Sequence, residues 1–331
     1  MLVGTPARDV ETVVERICAV QAQDLPAARL AIRARSTGLT AADVDRSLTV
    51  DRTHAITWLN RGTLHLVRRE DYWWLQALTA PKSLTWNVNR LAQEGVSPSD
   101  AERATKLISR RLATDGPLTR SQIGQLLAAT GMRTQGQALI HTLMYVSLRG
   151  HIVRGPVVGR EQAFVLVRDW WGSPPAIDRD DALAHLARRY LAGHAPADDR
   201  DLAKWSGLLL GDVRRGLSLI ASETVQDERG LIWLAARPPK RDIPTPRLLG
   251  GFDPVLMGWV DRDWVLADAT SIITSNGMFS AFALVHGVAV AMWRRPNGQV
   301  ALEPFGTLAP SVHRALTVDA ADVERFLASR F

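Results

Sequence analysis

One order of local signals runs three times along the chain, and it constrains the fold more than any other feature. Each time, three stretches of helical apolar spacing lead into two short alternating runs separated by a turn. In the first pass, residues 10–20 and 24–36 carry helical spacing. Asp24 can cap the second of these, and Pro26 falls in its first turn, where a missing N–H costs little. Thr40-Ala41-Ala42-Asp43 opens a third helix with capping-box spacing, aspartate standing where glutamate is usual. Ile56-Thr57-Trp58-Leu59 and Thr63-Leu64-His65-Leu66-Val67 then alternate about Asn60-Arg61-Gly62, the pattern of a hairpin with a short glycine-containing turn.

The second pass covers 98–170: helices over 100–112, 119–127 and 134–148, then strands over 152–154 and 164–167 around a Gly-rich basic loop. Thr119-Arg120-Ser121-Gln122 is a capping box. The third covers 176–236, with helices over 181–192, 199–206 and 209–221 and a hairpin joining Val225 to Leu231-Ile232-Trp233-Leu234. Identity between the passes is low, so what repeats is the order of elements. Helix, helix, helix, hairpin is the order of a winged helix. A proline-rich linker, 238–246, separates this part from a region of another kind. There, 264–266, 281–285, 288–293 and 300–302 read as strands and 319–329 as an amphipathic helix. The expected class is therefore α+β, with three tandem winged-helix units over 1–97, 98–175 and 176–237. A small, barrel-like β-rich region over 247–331 follows them.

Winged helices serve DNA binding, protein contact or spacing, and charge helps to choose among these. The chain carries a formal charge of +6, and lysine occurs only at Lys82, Lys106, Lys204 and Lys240, so the basic surplus is arginine. Each phosphate neutralised by such a surface releases counterions, which favours a polyanionic partner. Arg133, Arg149, Arg154 and Arg160 fall at the ends of the second unit's recognition helix and in its wing, the segments that meet the groove and the backbone. No apolar run approaches a membrane-spanning length, and the N-terminal stretch is not that of a secretory signal. The single cysteine, Cys18, sits in an apolar run and has no partner for a disulfide, so a cytoplasmic protein is expected. The eight histidines are scattered without ligand spacing, and no phosphate-binding glycine motif occurs; neither metal nor cofactor is expected.

Gln21-Ala22-Gln23 lies between the first two helices. On a helix, residues i and i+2 point some 200° apart, but in an extended link they share one side. Two amides could then converge on one point and hold a water molecule through their donors and acceptors. The plainer reading is a pair of glutamines that cap a helix or face solvent. Nearby, Thr63 and His65 alternate on one side of the hairpin and Arg61 lies in its turn. All three are candidate contacts to DNA or to a damaged base. A half-buried hairpin histidine is the structural alternative for His65, and Asp24 reads as a cap before it reads as an acid.

The segments Ala19-Val20-Gln21-Ala22-Gln23-Asp24-Leu25-Pro26 and Trp58-Leu59-Asn60-Arg61-Gly62-Thr63-Leu64-His65-Leu66-Val67 resemble those of a bacterial winged-helix family. Gly250-Gly251-Phe252-Asp253-Pro254 and Asn276-Gly277-Met278-Phe279 fit its C-terminal region. That family includes DNA glycosylases that unhook interstrand crosslinks, among them self-resistance enzymes against azinomycin-like alkylating products. The resemblance implies that Gln21 and Gln23 are catalytic and that the partner is double-stranded DNA bearing alkylated or crosslinked purines. Chemistry accords with it. A purine alkylated at N7 or N3 is cationic and leaves readily, so the enzyme needs only to stabilise an oxocarbenium-like sugar and place a water. Glutamine can do that but cannot deprotonate the water. No lysine nucleophile is nearby, so a monofunctional hydrolase is expected; a monomer is expected as well. The competing readings are a non-enzymatic DNA-binding regulator and a protein-interaction scaffold.

Overall fold

The computed structural model describes the whole chain except residues 160, 240, 241, 243, 268, 275, 276, 330 and 331. In its first half, helices α1 (Val10–Ile17), α2 (Leu25–Arg33) and α3 (Ala41–Thr49) flank the extended pair β1 (Val20–Gln21) and precede strands β2 (His54–Leu59) and β3 (Thr63–Arg68). Then come α4 (Arg69–Gln93), α5 (Pro98–Asp115), β4 (Leu118–Thr119), α6 (Arg120–Ala128), α7 (Ala138–Leu148), β5 (Ile152–Val158), β6 (Glu161–Leu166) and α8 (Val167–Trp171). The second half holds α9 (Arg179–His194), α10 (Asp199–Ser206), α11 (Leu210–Leu219), β7 (Thr224–Gln226), β8 (Ile232–Leu234) and β9 (Arg247–Leu249). It closes with α12 (Pro254–Met257), α13 (Asp263–Leu266), β10 (Phe282–Val285), β11 (Val288–Arg294), β12 (Ala301–Pro304) and α14 (Pro310–Ala328). These pack as two compact units: Met1–Val44 with Ala184–Trp205 and Leu209–Phe331, and Asp45–Leu183 with Ser206–Leu208.

The second of these units is built on an antiparallel sheet in the order β3-β2-β5-β6-β4. Strands β2 and β3 form the hairpin expected from their alternation, with Thr57 opposite His65 and Leu59 opposite Thr63. Its turn is held from α4: the Asn60 N–H donates to Thr79 Oγ1 at 3.0 Å, and Ser83 Oγ donates to the Asn60 carbonyl at 3.2 Å. The capping box read at Thr119–Gln122 forms in full and starts α6. Of the tryptophan pairs, Trp171 packs on Tyr72 at 5.2 Å and donates to the Arg52 carbonyl. Trp170 lies so close to Gly155 that a Cβ there would stand 2.1 Å from its ring.

In the other unit, α1 ends at Ile17, three residues short of the expected 10–20 span, because Cys18 takes a positive φ of 68°. Gly193 of α9 meets that end so closely that a Cβ would lie 2.3 Å from the Arg16 carbonyl. Asp43 turns back on Thr40 and accepts from its N–H and its hydroxyl, but the Asp43 N–H donates to the Thr40 carbonyl instead of the hydroxyl, so half of the expected capping box forms. The C-terminal region is not barrel-like, which corrects the sequence reading. Its sheet is open, four-stranded and antiparallel, in the order β12-β11-β10-β9. The run 264–266, expected as a strand, lies in the short helix α13, where the N–H groups of Val265 and Leu266 both donate to the Arg262 carbonyl. Three apolar residues have no period of their own, so the turn initiated at Asp261 decides. The last helix begins nine residues before the expected 319, with Pro310 in its first turn.

Buried ion pairs tie this unit together. Arg33, almost fully buried, bonds Asp319 and, at 3.1 Å, Asp322 of α14. Asp319 also accepts from the Leu248 N–H at 2.7 Å and from Arg247 at 3.0 Å. Arg35 makes a two-pronged bond to buried Asp253, at 2.7 and 3.0 Å. Asp253 caps α12 through the Val255 N–H, so it is committed to structure.

Candidate active site

The turn at Cys18 sends the chain into the extended pair Val20–Gln21, and the link continues non-helical to Asp24. Residues 21 and 23 therefore lie outside a helix, with Gln21 at the end of the extended pair and Gln23 in the bend that follows, so their side chains are not forced apart. The two amides meet: Gln21 Nε2 donates to Gln23 Oε1 at 2.8 Å. Gln21 is buried and Gln23 exposed. The contact uses the Gln23 carbonyl and leaves its NH2 group outside the bond. Ala22 between them is buried. Asp24 stands at the N-cap position of α2 without a side-chain capping bond, and loss of solvent raises its carboxyl above the usual carboxylate range.

The hairpin of the other unit presents a second polar group of residues. His65 is buried, and its Nδ1 lies 3.0 Å from the Thr63 carbonyl. Burial, with the Arg61 charge adding to it, lowers its pKa to about 3, so the imidazole is neutral. Asn60 was missed by the sequence reading. It is buried, its φ is +48°, and neither end of its side-chain amide has a partner among the described residues. The hydroxyls of Thr57 and Thr63 are likewise buried and unbonded. Such groups cost free energy unless something outside the fold meets them. The only sequence signal for Asn60 was its place before Arg61-Gly62, where asparagine tolerates a left-handed conformation.

Comparison with known proteins bears on what such a chain does. The family described as "DNA glycosylase AlkZ-like" matches residues 14–326. This chain belongs to the AlkZ-like DNA glycosylases. It is 27% identical over 345 residues, 95% of this chain and 89% of the relative, to an interstrand DNA cross-link repair glycosylase of Streptomyces sahachiroi. Its fold is that of the solved DNA glycosylase AlkZ of Streptomyces sahachiroi, with a TM-score of 0.79 and 24% identity over 98% of this chain and 92% of that one. DNA is thus the substrate of this glycosylase family.

The glycosylase's candidate DNA-binding arginines stand in unlike surroundings. Arg61 lies in the hairpin turn with its backbone against Gly207. Arg133 is exposed, its stem against Gly95. Arg149 is neutralised by Glu102 and lies 5.4 Å over the Tyr145 ring. Arg154 sits inside strand β5 instead of at a wing tip, over the rings of Trp58 and Phe164 at 4.8 and 5.3 Å. Arg160 and Asn276 lie outside the described residues. A cavity of about 270 Å³ at the N-terminal segment is lined by Arg16, Arg35 and Arg247 among others, but not by either glutamine. Its arginines are already bonded, to the Thr5 carbonyl, Asp253 and Asp319. Among the described residues no three His, Cys, Asp or Glu side chains stand where they could hold a metal, and no helix is long and apolar enough to cross a membrane.

Proposed function

We propose that this glycosylase hydrolyses the N-glycosidic bond of cationic N-alkylpurines, N7-alkylguanine above all, in double-stranded DNA, and that it unhooks interstrand crosslinks. The observation that supports this most is the hydrogen bond between Gln21 and Gln23 in a non-helical link. That bond orients the Gln23 amide and leaves its NH2 group to donate to a water. Glutamine has no pKa near neutrality, so the pair places water without deprotonating it. Placement suffices only where the base leaves as a neutral purine from a cationic nucleoside. Positioning and electrostatic support of an oxocarbenium-like sugar then carry the rate.

On this reading the neutral His65 and the Thr63 hydroxyl act as hydrogen-bonding groups toward the lesion, and Arg61, Arg133, Arg149 and Arg154 serve DNA contact, with Arg160. The reading includes three winged-helix units over 1–97, 98–175 and 176–237 and a β-rich region over 247–331. Its support is the order of helices and hairpins. The protein acts as a monomer in the cytoplasm, on nucleoid DNA. The test is incubation with a duplex carrying N7-methylguanine and with a nitrogen-mustard crosslink, followed by hot alkali. Strand cleavage at the alkylated guanine is expected. Its absence at protein concentrations that saturate the duplex overturns the substrate assignment.

A further inference from the structure

Among the described residues the buried arginines Arg33 and Arg35 come with the carboxylates of Asp319 and Asp253, and the half-buried Arg68 with that of Asp71 at 2.7 Å. Arg154 departs from that pattern. It stands opposite Ile56 of β2 and Phe164 of β6, mostly withdrawn from water, and its Nε has no hydrogen-bond partner among the described residues. The Trp58 ring lies 4.8 Å from the guanidinium carbon and Phe164 lies 5.3 Å from it. The charged neighbour that acts on it is another cation, Arg120 at the start of α6. Burial and that like charge lower its pKa to about 10. Arg120 is exposed, and no carboxylate offsets either arginine among the described residues. The strand cannot easily move the group away. Gly155 is clamped under Trp170, where any side chain would collide.

Aromatic walls and like-charge crowding fit a guanidinium held ready for an anion. The Trp58 and Phe164 rings limit where the fork can lie, and a pre-oriented fork suits a phosphate. We propose that Arg154, walled by Trp58 and Phe164 and joined by Arg120, is a binding site for a phosphate of the DNA backbone. The proposal rests on duplex DNA being the substrate, and on no particular lesion.

Fluorescence anisotropy of an undamaged duplex between 0.05 and 0.2 M salt, both on the order of physiological strength, tests it. Arg154→Met keeps the apolar stem between the rings and removes the charge. It should weaken binding about ten-fold and flatten the log–log salt slope by about 0.9, the share of one phosphate. Its melting temperature should equal or exceed that of the parent, because a desolvated, unpaired charge is gone. Arg120→Met, at an exposed position, should flatten the slope in the same direction. An unchanged slope in both variants overturns the proposal, as does an Arg154→Met protein that melts lower and binds as the parent does. If Arg154→Met does not fold, the Arg120→Met slope decides by itself. A parent protein that binds duplex but excises nothing would sink the lesion assignment and leave this site standing.

Discussion

The bond between Gln21 and Gln23 makes a quantitative prediction about how they act together. Each amide holds the other at 2.8 Å, so deleting either one removes its own contact and releases its neighbour. Loss of a single preorganised hydrogen-bonding group at a developing charge costs about 10²–10³ in rate. Gln21→Ala and Gln23→Ala should therefore each lower single-turnover excision of N7-methylguanine by about that factor. Independent groups would multiply, to about 10⁴–10⁶ for the double variant, whereas groups that act as a unit would not. The geometry here argues for a unit, so the double variant should fall within about ten-fold of the worse single one. The assay is single-turnover cleavage at saturating protein, with duplex affinity measured in parallel and expected to stay within about three-fold of the parent, since neither amide carries charge. Multiplying losses would refute the coupling. Wild-type excision by both single variants would remove the pair from the chemistry.

Other consequences follow from the packing and the buried histidines. Asp319→Ala leaves the buried Arg33 with Asp322 as its one remaining carboxylate and takes an acceptor from the Leu248 N–H and from Arg247. That should cost about 1–3 kcal/mol in urea melts, and Arg33→Met with Asp319→Leu should regain only part of it, because the Leu248 N–H still lacks its acceptor; a loss below about 1 kcal/mol would refute the pair's importance. His65 and His194 are held neutral, each with a pKa near 3. The unfolded chain, with histidines near 6.5, binds more protons between those values, so stability falls as pH drops below about 6.5 and goes on falling toward 3. By pH 5 the loss should be about 2 kcal/mol for each ring, and equal stability at pH 7 and pH 5 would contradict it. Gly155→Ala places a Cβ 2.1 Å from the Trp170 ring and should destabilise by about 1–3 kcal/mol or more, read from thermal melts.

Sequence logic reached far where the deciding interactions are local. The Thr119–Gln122 box, the Thr40–Asp43 turn and the β2–β3 hairpin join residues a few positions apart; the box and the hairpin form as their spacing dictates, and the turn forms the Asp43-to-Thr40 half of its box. The link at Gln21-Ala22-Gln23 is likewise local, and its lying outside a helix was the condition for the two amides to meet. Family membership was likewise legible, since the motif segments are contiguous in the chain.

What tertiary structure decided depends on partners far away in sequence. Nothing local says that Arg149 is neutralised by Glu102, 47 positions before it, while Arg154 meets two rings and no acid. Both read simply as basic residues near a wing. Nothing local opens the C-terminal sheet or turns 264–266 into a helix, because a short apolar run fits either state until its neighbours choose. The orphaned amide of Asn60 became visible only once α4 was seen to take up its backbone and leave its side chain unbonded. The chain by itself thus settled capping, alternation and the type of chemistry its glutamines can support. Which charges remain uncompensated, and so available to DNA, is a property of burial and of long-range contacts, which one-dimensional patterns do not carry.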